Sequence, residues 1–358
     1  MKAAPLLTAA PLLALWASAS PAAARVLEVG PGHDYASPSA AAAAALDGDT
    51  VTIAAGEYFD CAIWHADRLT IIGPGTGLGT GLGTGPGAVL SDLACQGKAA
   101  FVVQGDGVTL RGLTFTRIRV PDGNGAGVRA EGRDLTVVDS RFVNDQDGIL
   151  ASGGGFLRIV GCAFVANGTP GQDTPGRDSS GGPPTHSVLA GGLDLLRIEN
   201  SVFQDARGGD HIASAARRTE LEGNRLADAG GHIAGPLVAI AGGAVTLAGN
   251  TIDLTGAGSP DRPGAVLVVG DATALIVRGN TLVEPTGDTP LVRNWTGLDA
   301  DATDNRVPPG VAAVSDAGAA YHRLRAGMAA LRARAGAAAG MARHGGAALA
   351  RRLGLLAS

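Results

Sequence analysis

Hydrophobic and polar positions alternate along this chain in short bursts, and the bursts repeat. The stretches TLRGLTF (109–115), TVVDSRF (136–142), RIVGCAF (158–164), RIENSV ending at Val202, ELEGNRL (220–226), TLAGNTI (246–252), IVRGNTL (276–282) and DATDNRV (301–307) share one layout. Each alternates apolar residues, breaks at a small or polar residue, and closes on another apolar residue. Their ends lie 27, 22, 38, 24, 26, 30 and 25 residues apart, and self-similarity at such a spacing marks a solenoid. A second apolar run occurs in most coils: GVRAEG (127–132), GILASG (148–153), SVLAGG (187–192), HIASAA (211–216), LVAIAG (237–242) and VLVVG (266–270).

Period-two alternation rich in Val, Ile, Leu and Thr indicates strands, whereas a leucine-rich repeat needs its own spaced leucines and a helical segment. Two or three strands per coil, stacked in register, predict an all-β fold: a single-stranded right-handed parallel β-helix. Asn200, Asn224, Asn250, Asn280 and Asn305 lie two residues before successive end markers, and Ser140 and Cys162 hold that place in earlier coils. Asparagine tolerates the left-handed backbone of a tight turn, and its amide can bond from coil to coil. These residues are expected to form one structural column.

Composition sharpens the picture. With 56 glycines and 4% aromatics, the chain suits tight turns and small inward residues rather than long helices. Residues 1–24 carry Lys2, an apolar stretch broken by Pro5, Pro11 and Pro21, and small residues before Arg25. That is the layout of a signal peptide, cleaved after Ala24 or Ala19, and it is too short and broken for a membrane span. The expected organisation is a signal peptide at 1–24, the β-helix at 25–318 and a basic tail at 319–358, with a secreted or periplasmic mature protein. In an oxidising compartment Cys61 and Cys95 are the expected bridge, leaving Cys162 reduced, although the sequence leaves other pairings open.

The net charge of −5 conceals an asymmetry, because the tail holds seven arginines and no acid. Setting those and Lys2 aside leaves 20 cations against 33 acids, a net −13, which argues against nucleic acid as the main partner. The tail is rich in Ala, Leu and Arg and interrupted by glycine. It is expected to form loosely attached helical pieces, with Leu324, Met328 and Leu331 on one face, covering the last coil or resting on anionic membrane lipids. The glycine-rich GPGTGLGTGLGTGPG (73–87) lacks the Gly-Lys-Ser/Thr ending of a phosphate loop and reads as a flexible connection.

The opening VGPGHDYASPSAAAAAALDGDTVTIAAGEYFD (29–60) resembles that of pectate-lyase-like right-handed parallel β-helix proteins, and the similarity runs from about Val29 to Val307. DCAIW, CQGKAAFVV, RVPDGNGAGVRAEG, NDQDGILA and DHIASAARRTE resemble an exported bacterial branch of these repeat proteins. The resemblance implies that the Ala-rich segment is a helix capping the open end of the solenoid. It also implies, in the segment matching 208–217, a histidine followed by lysine and arginine on alternate residues. His211 matches the histidine, but Ala213 and Ala215 stand where the cations belong, and Leu189 where tyrosine is common. Lyase-type β-elimination needs a base and a cation or metal to stabilise the developing charge. Alanine supplies neither.

The alternation still assembles a candidate site. If Ile149, Val188 and Ile212 point inward, Asp147, His186 and Asp210 form one polar column on strands about 4.8 Å apart, with His211 beside it. His211, His186 and Asp210 are the candidate catalytic residues. Asp145 and Asp147 supply oxygens of the kind calcium takes, and Arg217 and Arg218 could grip an acidic sugar. The competing structural reading makes NDQDG a turn beside Gly148 and the arginines a solvated pair. The long NGTPGQDTPGRDSSGGPPT (167–185) is expected to wall a groove beside the column. Together these readings predict an exported, polysaccharide-associated protein, a lyase or epimerase on acidic glycans with degenerate catalytic residues. The alternatives are a non-catalytic glycan binder and a structural surface-attachment solenoid.

Overall fold

The computed structural model describes residues 24–74, 87–169, 185–230, 233, 235–256, 262–285 and 287–316. The expected leader, most of the glycine-rich connection, most of the proposed groove wall and the basic tail lie outside these residues. Among the described residues, 28 short strands pair in parallel ladders. A typical coil contributes three strands, as in Asp147–Ala151, Phe156–Val160 and Ala163–Val165. We call the three resulting ladders the first, second and third sheets. The first and second merge where Val238–Ala248 and Val266–Arg278 run through both, bending at Gly242, Gly243 and Gly270.

Register is continuous. Along the first sheet, Phe101, Val128, Ile149, Val188, Ile212, Val238, Val266 and Val292 form one column of inward, buried side chains. On the third sheet, Phe115, Phe142, Phe164 and Phe203 stack with ring centroids 5.1, 4.8 and 4.6 Å apart. Those separations are the strand spacing itself, so one aromatic per coil fills the core without any side chain having to bend. The Ala-rich segment forms the helix Pro38–Ala44, with Ser37 at its N-cap and proline in the first turn. Its Ala41 and Ala42 are buried, and it packs against Val26–Val29 and Ala62–Trp64. Cys61 and Cys95 are disulfide-bonded across 34 residues, and Cys162 is free and buried.

The bend between second and third strands repeats in every coil. Asp139, Gly161, Asn200, Gly223, Gly249 and Gly279 occupy it with φ between 49° and 66°, where glycine, asparagine and aspartate are the cheapest residues. The residue after each of these points inward and forms a hydrogen-bond ladder. The ladder starts at Ser140, whose N–H donates to Cys162 Sγ (3.5 Å). Cys162 N–H donates to Ser201 Oγ (3.1 Å), and Ser201 N–H to Asn224 Oδ1 (2.9 Å). Asn224, Asn250 and Asn280 continue it, each N–H donating to the Oδ1 of the next asparagine, ending at Asn305.

This corrects the sequence reading in two respects. Asn200 belongs to the left-handed position, and Ser201 takes its place in the ladder, because that coil's apolar marker is Phe203 and not Val202. The other four asparagines serve as inward amides, and the left-handed residue is the one before them. Asn250 Oδ1 accepts the backbone N–H of Asn224, while its Nδ2 donates to Leu221 O at 2.8 Å. Asn250→Ala removes both partners from buried groups, and an unmade buried bond costs ~1–3 kcal/mol. Urea unfolding should show Asn250→Ala less stable by about 2–4 kcal/mol, with the half-exposed Thr251→Ala changing stability by less than ~0.5 kcal/mol.

Candidate functional site

The site expected from sequence lies where third strands lead into first strands. Asp147, His186 and Asp210 do share a column there, each two residues before the in-register Ile149, Val188 and Ile212. Asp147 and His186 are buried and Asp210 is half-buried. Asp147 Oδ1 accepts the backbone N–H of His186 at 2.6 Å, so this carboxylate ties one coil to the next.

His211 lies elsewhere. Two consecutive residues turn inward at this corner, and the same position in later coils is Leu237, Ala265 and Leu291, all core residues. The His211 ring is fully buried, 5.9 Å from the Phe203 ring, and its Nε2 donates to Ala227 O at 2.9 Å. Burial pushes its pKa down to about 4, the nearby Arg262 guanidinium adds to this, and the bond to Ala227 opposes it. The expected place on the outer wall is therefore corrected to the interior of the coil, as a neutral imidazole.

Asp145 also faces inward. Its Oδ1 accepts the Ile118 N–H at 2.9 Å, and its own N–H donates to Asn167 Oδ1 at 2.9 Å. Burial holds its carboxyl well above the ordinary range, against the Ile118 bond and the more distant Arg119 and Arg117. A carboxyl turned into the coil and already engaged by a backbone N–H is poorly placed as a calcium ligand. Among the described residues no group of three or more His, Cys, Asp or Glu side chains is placed to hold a metal ion. Arg217 and Arg218 are exposed and lie beyond the column, next to Asp194 (3.7 Å) and Glu220 (3.6 Å) respectively.

The outward positions of the first sheet are apolar. Val102, Leu150, Leu189, Ala213, Ala239 and Leu267 follow one another in register, with Arg129 between the first two and Arg293 after the last. With Ala99, Ala126, Ala241, Val269 and Trp295 they form a second apolar cluster, every member 7% exposed or less. Arg129 is itself buried, which pushes its pKa down, while Glu131, Asp147 and Asp122 draw it back up. In the sequence Arg129 is marked only by being a cation in the middle of the apolar run GVRAEG. Arg262, whose guanidinium is fully buried, carries no such mark. That group donates to Asp228 Oδ2 (2.8 Å), Gly235 O (2.7 Å) and Ile233 O (2.8 Å), and so holds the connection between two coils.

No family model matches the chain, and no curated protein matches it. Among solved structures, it is similar to pectate lyase Pel9A at 12% identity, over 82% of this chain and 78% of that one, with a TM-score of 0.45. It is similar to the PL6 family alginate lyase AlyGC at 17% identity, over 83% of this chain and 39% of that one, with a TM-score of 0.45. A third likeness is to an alginate lyase from Paenibacillus sp. str. FPU-7, at 14% identity over 82% of this chain and 98% of that one, with a TM-score of 0.42.

The buried imidazole makes a pH prediction. His211 is neutral in the fold down to pH about 4, whereas in the unfolded chain it takes a proton near pH 6.5. Its contribution is therefore complete above pH 6.5 and is lost as pH falls from there towards 4, by an amount on the order of 3 kcal/mol. Leucine occupies the same position one coil later, at Leu237. Melting curves between pH 7 and pH 4.5 should show His211→Leu losing less stability on acidification than the parent chain.

Proposed function

We propose that the chain is an exported right-handed parallel β-helix, capped at one end by the helix Pro38–Ala44, that associates with polysaccharide without cleaving it. One observation carries the non-catalytic part. On the face where the resemblance implies a histidine, a lysine and an arginine, the outward side chains are Leu189, Ala213 and their apolar neighbours, and His211 is turned into the core. A base must reach a proton on the sugar ring, and a side chain inside the coil reaches none. The polysaccharide part is supported by the resemblance of the opening and coil segments, and by a solenoid whose repeated surface suits a repeated polymer. The expected leader at 1–24 and surface attachment through the basic 319–358 segment belong to the same reading. Were the polymer acidic, calcium would have to bridge it to the acidic body.

A second reading, a lyase or epimerase on acidic glycans, is favoured by the outward Asp147–His186–Asp210 column with Arg129 one coil away. Such a cluster holds a base and a cation. The two readings separate in one experiment. The mature protein is incubated with alginate and pectate, with and without calcium, and unsaturated product is followed by absorbance and uronate epimerisation by NMR. Retention on immobilised polysaccharides is measured in parallel. Retention without turnover is the expected result. Turnover abolished by His186→Ala or Arg129→Ala would establish the enzyme instead, and the absence of both signals would overturn the association with polysaccharide.

A further inference from the structure

The second sheet presents a face unlike the first. One outward column runs Thr70, Thr109, Thr136, Arg158, Arg197 and Glu220 through six consecutive coils, every side chain exposed or half-buried. At about 4.8 Å per strand the column is roughly 24 Å long. Glu199 and Glu222 lie in the adjoining outward column. Phe156, two residues before Arg158 on the same face, is one of the few large apolar side chains left exposed, at 37%.

These groups are held still. Arg197 reaches Glu199 (3.1 Å), Glu220 (3.2 Å) and Glu222 (3.2 Å), and Arg158 Nε donates to Glu199 at 2.9 Å. Burial pushes the Glu199 carboxyl up, but the bonds from Arg158 and Arg197 outweigh it and hold the group ionised below the usual range. The guanidinium groups remain partly in solvent while Glu199 and Glu220 are half-buried, and ion pairs at a protein surface contribute only about 0–1 kcal/mol each, so stability alone gives little reason to cluster them on one face. What the cluster does provide is a rigid array of planar donors and acceptors beside an exposed ring. That combination orients hydroxyl-rich ligands: the charged forks take hydroxyl pairs, and the ring takes an apolar face.

Charge narrows the ligand. Arg158, Arg197 and Arg218 balance Glu199, Glu220 and Glu222, on a body carrying 33 acids against 20 cations. A polyanion would meet repulsion that this face does nothing to offset.

We infer that the outer face of the second sheet is a binding strip for an uncharged polysaccharide, with Phe156 as its stacking platform and the Arg197 array recognising hydroxyls. The inference rests on the polysaccharide association proposed above, and it moves the contact to a different face from the Asp147–His186 column. The test uses the full mature chain and retention on neutral glucan, mannan and galactan, with alginate and pectate alongside. Phe156→Ala and Glu220→Gln should each weaken retention on a neutral polymer at least tenfold. Thr281→Ala, on the third sheet, should leave retention unchanged, with all three variants melting within a few degrees of the parent. Undiminished neutral-glycan retention in folded Phe156→Ala and Glu220→Gln would overturn the placement while the association stands. Retention on alginate or pectate alone would overturn the uncharged ligand. Retention on none of the five would remove the association itself.

Discussion

Every column of this molecule must suit the coil above and the coil below at once. Parallel ladder bonds fix the vertical spacing near the ordinary strand separation, so a side chain's nearest neighbours are its counterparts in adjacent coils. Inside, that requirement yields a stack of four phenylalanines and a ladder running from Ser140 to Asn305. An asparagine is self-complementary in such a stack, because its carbonyl accepts from below while its amide donates both ways. Serine fills the same place earlier in the ladder with fewer bonds, its hydroxyl accepting one N–H and donating within its own coil. Columns are therefore conserved within the molecule because neighbouring copies bind one another.

The same requirement explains why residues that look chemical serve as structure. Asp145 and Asp147 each give an oxygen to a backbone N–H of a neighbouring coil, and Asp228 is bound by the buried Arg262. A chain that closes a turn every few residues leaves backbone groups facing the interior, and short polar side chains are the cheapest way to satisfy them. His211 is the same device with a larger ring, bonding Ala227 O from a position that later coils fill with leucine or alanine.

The solenoid, its strands and the polar column Asp147–His186–Asp210 were legible because each follows from period-two alternation or spacing, whereas three cysteines left the Cys61–Cys95 pairing one choice among several. The direction of His211 was not, since the corner before Ile212 turns two successive residues inward and breaks the alternation on which the placement relied. The offset of Asn200 had a different cause, a one-residue slip in taking Val202 rather than Phe203 as the end marker of that coil. The strip on the second sheet was hidden for another reason. Thr70, Thr109, Thr136, Arg158 and Arg197 are unremarked polar residues until the register puts them in line.

The contrast between the two outer faces bears on chemistry more directly than any single residue does. Elimination beside a carboxylate needs a base that can lose and regain a proton near the working pH, and a positive centre aimed at the substrate. On the first sheet the outward row runs Leu150, Leu189, Ala213, Ala239 and Leu267 between Arg129, which is buried, and Arg293, whose guanidinium donates to Pro263 O and Ser315 Oγ. On the second sheet the charges are exposed or half-buried, yet each is already engaged by an opposite charge and the total is balanced. Fixed, paired charges are suited to holding a ligand in one orientation, and unsuited to moving a proton, because neither partner can change ionisation without losing the other. The paired charges of the second sheet and the buried ring of His211 accord with the association without cleavage proposed above.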